Sequence, residues 1–232
     1  MTEAQSPDSL DAHVDRAVRT ITAVVAATAL DLQPMLHLVG PNGVVSVAVL
    51  GGTRGGQDIA RGARWVVNEQ QPHHAILLSE SWAVRPGLPA EDPHVAAVLA
   101  GRLRPSQLPP RKRGELLVVY AESRQGKVRQ RAYPIERAPD GRRRLVLQDQ
   151  FAGPSKSVES RFRPLFVAAD LLRTFAREEP ALYAGLDPAE HEALAQAVVR
   201  RLLAEGGGGS SRAWQAELAR AYTATRLRQD RN

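Results

Sequence analysis

The sequence contains no cysteine, which excludes disulfides, thiolate nucleophiles, thiolate zinc sites and iron–sulfur clusters. Lysine is nearly missing: Lys112, Lys127 and Lys156 are the whole set, and every other basic side chain apart from histidine is arginine. That ratio, with abundant Ala, Gly and Pro, matches the codon usage of a GC-rich bacterial genome, which makes part of the basicity genomic background. Aromatic residues are 5% of the chain, so surfaces for stacking are scarce. No apolar run could span a bilayer; the most apolar stretch, 23–30, is short and alanine-rich. The first eleven residues are acidic, with no basic cluster ahead of an apolar run. The expectation is a cytoplasmic protein with no membrane partner.

What remains is ordinary globular material, 43% hydrophobic and 24% charged over 232 residues, enough to bury a sizeable core. The net charge of +6 is unevenly placed. Between Arg102 and Arg144 lie 13 Lys or Arg and 4 Asp or Glu, so the rest of the chain is acidic on balance.

Apolar periodicity gives the elements. Leu10, Val14, Val18, Ile21 and Val25 recur at helical spacing over 8–30, behind Asp8 or Ser9 as a cap. Residues 35–39 and 44–50 form a hairpin through Gly40-Pro41-Asn42-Gly43, where proline presets φ and Asn-Gly accepts positive φ. A helix over 58–70 ends before Pro72, and 74–84 reads as a strand. Six prolines make 85–112 an irregular crossing with a short helix at 93–101. Strands at 115–123, 127–137 and 143–150 follow as a meander. Helices over 164–177, 188–205 and 211–228 close the chain, the second opened by Asp187-Pro188 and the third tethered by a Gly-rich linker at 206–211.

The expected fold class is α+β: an antiparallel sheet of five or six strands with two helices on one face, over residues 8–152, plus a helical extension over 153–232. The order helix–hairpin–helix–meander resembles that of small scaffold domains of the roadblock or profilin type, a resemblance that implies partner binding rather than catalysis.

Four features bear on function. The Gly51–Gly56 loop lacks both the P-loop Gly-Lys-Ser/Thr and dinucleotide-fingerprint spacing, so it reads as a plain connection. His73 and His74 point to opposite sides of a strand and cannot share a metal. Glu80 shares a face with Ile76, Leu78, Trp82 and Val84; an acid there must be paired or have a raised pKa. A structural ion pair, with Arg111 or Arg113 as candidates, is favoured over a catalytic acid. Lys127, Arg129 and Arg131 line one face of one strand, with Arg142, Arg143 and Arg144 across the next turn and Arg111, Lys112 and Arg113 before it. Tyr120 and Tyr133 are the aromatics nearest in sequence for stacking bases.

The expected function is therefore a non-catalytic binding or adaptor protein whose nine basic residues meet an acidic protein or nucleic acid. No catalytic residue, metal or cofactor is assigned. Two alternatives stay open: an enzyme built around Glu80, and a homo-oligomer assembled through the C-terminal helices, where Trp214, Leu218 and Tyr222 form an apolar stripe.

Overall fold

The computed structural model describes residues 9–28, 31–48, 56–85, 87–147, 164–205 and 211–229. The Gly51–Gly55 loop, residues 148–163 and the linker at 206–210 lie outside them.

Helix α1 (Leu10–Ala27) starts where the Ser9 hydroxyl accepts from the Ala12 amide at 3.2 Å, satisfying a first-turn donor. β1 (Met35–Gly40) and β2 (Gly43–Ala48) form the hairpin, and α2 (Gly56–Gln70) follows. β3 (His74–Val84) leads through α3 (Pro93–Leu99) and two short 3-10 turns to β4 (Arg113–Ser123), β5 (Val128–Arg137) and a brief β6 (Arg143–Leu145). The six strands make one antiparallel sheet in the order β2-β1-β3-β4-β5-β6.

The two helices lie on opposite faces of this sheet, which corrects the expectation of one shared face. α1 packs on Ile76, Leu78, Leu117, Val119 and Ala121. α2 places Ala60, Ala63 and Val67 on Leu36, Leu38, Ala75, Leu77 and Tyr120. Neighbouring residues on a strand point opposite ways, so the unbroken apolar run Ala75–Leu78 marks a strand covered on both sides. β2 is one edge of the sheet, with Val44 and Val45 exposed.

The C-terminal helices are α4 (Val167–Glu178), the single turn α5 (Pro180–Tyr183), α6 (Pro188–Ala204) and α7 (Ser211–Gln229). They share a third core in which Leu171, Phe175, Val199 and Leu203 meet Trp214, Leu218 and Tyr222. The α7 stripe is thus used within the chain. Polar contacts fasten this bundle to the sheet domain beside α2. Arg61 Nε donates to the Leu203 carbonyl (3.1 Å) and Arg64 Nε to the Pro164 carbonyl (3.0 Å). Arg200 pairs with Glu69 at 2.8 Å. The buried Glu122 carboxylate accepts from the Leu165 amide (2.7 Å) and the Tyr120 hydroxyl (3.1 Å).

Candidate functional site

The basic residues divide into three environments. Lys127, Arg129 and Arg131 do share a face, and α1 lies across it. Asp11 receives Arg129 at 2.6 Å and Lys127 at 3.3 Å, while Arg131 donates to Asp15 at 2.5 Å and lies 3.4 Å from the Tyr133 hydroxyl. The Arg129 hydrogen bond holds the Asp11 carboxyl below its ordinary range, burial opposes it, and Lys127 adds to the lowering. These cations bind a helix of their own chain.

The second environment is a buried network. The Arg143 side chain, 0% exposed, donates to Glu80 and lies 3.7 Å from Glu115. Arg137 bridges Glu115 (2.8 Å) and Asp31 (3.1 Å). Glu80 is therefore paired, but with Arg143 rather than with Arg111 or Arg113. Burial raises its carboxyl above the usual range, while the Arg143 hydrogen bond and the Leu32 amide pull it back. Beside Arg143, Arg142 pairs with Asp140 and Arg144 with Glu136, both at 2.6 Å in solvent. A carboxylate already held by a guanidinium is poorly placed to move protons.

The third environment surrounds a groove of about 680 Å³ across the ends of β3, β4 and β5, lined among others by Trp82, Arg85, Pro110, Arg113 and Pro134. Trp82 is 36% exposed, and the Arg113 guanidinium carbon sits 4.4 Å from its ring centroid, a cation–π contact. Arg113 is held there by donating to the Ser106 carbonyl at 2.8 Å. The Arg85 amide donates to the Lys112 carbonyl (2.9 Å), extending the β3–β4 pairing into the crossing. Lys112 itself is taken up by Asp92 at 2.6 Å and His94 at 3.2 Å. Arg85 and Arg111 are exposed and have no ion-pair partner among the described residues.

Of the sequence candidates, then, the groove gathers Arg113, with Arg111 two residues away in the chain. The two tyrosines nearest the basic region in sequence are core residues, Tyr120 at 0% and Tyr133 at 5% exposure. Trp82 is an accessible aromatic of this groove that sequence reasoning did not assign to binding. It stood on the Glu80 face, where its alternation reads as core, and only the register that sets Arg113 opposite Val84 brings a cation over it. His74 packs its ring against His13 at 5.5 Å. Among the described residues no group of three or more His, Asp or Glu is placed to hold a metal ion, and no helix is long and apolar enough to cross a membrane.

Fold and groove together define an α+β protein whose sheet-end groove carries Trp82 and three arginines, Arg85, Arg113 and Arg137, against two carboxylates, Glu115 and Glu136. Set against known families, curated proteins and solved structures, the chain matches none.

Proposed function

We propose that this is a non-catalytic binding protein of the cytoplasm whose sheet-end groove receives a single-stranded nucleic acid. The observation that carries the reading is the Arg113 guanidinium over the exposed Trp82 ring. A base stacks on an aromatic ring or on a guanidinium plane, and a base laid here would extend a stack already begun. Arg85 and Arg111, with no ion-pair partner among the described residues, supply charge for the adjoining phosphates. An acidic protein would satisfy the charges but has no use for the planar stack.

Fluorescence anisotropy of labelled DNA and RNA oligonucleotides across a salt series tests this. Three neutralised phosphates give a log–log salt slope of about −2 for single strands. Trp82→Ala should weaken binding about tenfold, the worth of one stacked base. Arg111→Glu should flatten the slope. Absence of binding at low salt, or unchanged affinity in the Trp82→Ala variant, would refute the proposal. Arg129 and Arg131 belong to the α1 interface, so their replacement reports on the fold instead.

A further inference from the structure

A second concave site lies on the other side of the sheet from α1, where α2, α4 and α6 meet. It is a cavity of about 240 Å³ lined by side chains from all three helices, among them Val67, Asn68, Leu172 and His191. Asn68 is 6% exposed, yet neither its Nδ2 nor its Oδ1 has a hydrogen-bond partner among the described residues. Leaving such groups unpaired costs about 1–3 kcal/mol each, and an aliphatic side chain would avoid that cost. A bound ligand that pairs with this carboxamide would remove that cost.

The remaining walls narrow its chemistry. Tyr183 and His191 both line the cavity with their rings stacked at 3.9 Å and 1° between planes, a flat platform. His191 is fixed from behind by the Tyr222 hydroxyl, 2.5 Å from Nδ1. Leu165, Phe166 and Val67 supply apolar surface. The charged lining residues Arg124 and Glu192 are paired with each other, and Arg173 donates to the Arg124 carbonyl at 2.9 Å and pairs with Asp170. No cavity charge calls for an ionic ligand. A carboxamide offers a donor and an acceptor side by side, complementary to a ring edge that carries an adjacent acceptor and donor. A 150 Å³ apolar cavity takes up benzene, so about 240 Å³ has room for a one- or two-ring compound.

We propose that the cavity between α2, α4 and α6 binds a small, flat, neutral ring compound of the nucleobase class, held edge-on by the Asn68 carboxamide. This site is separate from the sheet-end groove and does not depend on it. 9-Methyladenine, 1-methylcytosine, 1-methyluracil and 9-methylpurine, titrated into the full chain by calorimetry, provide the probes. 9-Methyladenine or another base with an adjacent donor and acceptor should bind at least about tenfold tighter than 9-methylpurine, whose ring acceptors have no N–H donor beside them. Asn68→Leu, which keeps the size and removes both polar atoms, should weaken that binding by about the same factor or more without lowering thermal stability. Leu172→Trp, which fills the space without touching Asn68, should block it as well. The Asn68 side-chain amide resonances should shift on binding, a readout a purely structural asparagine would not give. Trp82→Ala should leave base binding unchanged, so failure here and failure of the groove are separable. The proposal falls if no base binds at millimolar concentration, if Asn68→Leu binds as well as the parent chain, or if the Asn68 resonances report contact with water only.

Discussion

Replacing Arg143 with Met removes one charge from the most enclosed ionic contact described here while keeping most of the side-chain volume. Arg143 is wholly buried, and both carboxylates beside it, Glu80 and Glu115, are largely covered. Glu115 keeps Arg137, but Glu80 keeps only the Leu32 amide. Breaking a buried pair from one side costs about 3–5 kcal/mol, because the remaining charge is stranded. Glu80 retains a sliver of solvent contact and can take up a proton, which places the expected loss near the lower end, about 3 kcal/mol. For a chain of this size that is a fall in Tm of about 6–12 °C. The loss should depend on pH in a definite sense. Burial already holds the Glu80 carboxyl above its ordinary 4.5, and losing Arg143 removes the main force pulling it down. A group whose pKa is raised by folding favours the folded state below its unfolded pKa and disfavours it as pH rises through the folded value. The deficit should therefore be full at about pH 7.5 and smaller at about pH 5. Urea unfolding followed by tryptophan fluorescence at both pH values measures this. Adding Glu80→Gln to Arg143→Met should recover part of the loss, since the stranded charge is then gone. A single variant within about 1 kcal/mol of the parent, or a double variant less stable than the single, would refute the reasoning.

Two further outcomes follow from contacts at helix starts. Asp11→Ala should cost about 1 kcal/mol, moderated because Arg129 and Lys127 are partly in solvent. The Asp11 carboxyl sits below its unfolded value of 3.8, so its contribution is complete above that pH and lost below it; denaturation curves of parent and variant should converge under acid. At α6 the Asp187 carboxylate accepts from the Glu190 amide (2.8 Å) while Glu190 accepts from the Asp187 amide (3.1 Å). Asp187→Ala should lower stability by about 1 kcal/mol by denaturant titration, and an unchanged midpoint would mean that water replaces this cap at no cost.

The legible part of this fold was local. Ser9 and Asp187 announced their helices because a cap needs only the next three residues. The Gly40–Gly43 turn placed the hairpin, with Gly43 at φ +102° where a left-handed backbone is required. That Lys127, Arg129 and Arg131 share a face followed from strand alternation. What covers that face did not, because Asp11 and Asp15 approach from 118 and 116 residues away. Glu80 likewise revealed that it needed a partner, while the identity of that partner rested on β6 pairing with β5. Trp82 and Asn68 escaped notice for the same reason: each sits in a pattern that reads as ordinary strand or helix. Their significance comes from neighbours that only the assembled sheet and bundle provide.

The clasp between α1 and β5 also sets an order of events during synthesis. α1 leaves the ribosome well before β5, since its ionic partner Arg129 is 118 residues behind Asp11. At ordinary translation speeds that gap is about 6–24 s, long compared with the microseconds in which a helix forms and melts. Until β3 and β4 emerge within that interval, the apolar side of α1, from Leu10 to Val25, has none of Ile76, Leu78, Leu117, Val119 or Ala121 to cover. The nascent chain must therefore hold α1 until β3, β4 and finally β5 have emerged, and the acidic residues that later grip β5 also help keep the waiting helix in solution.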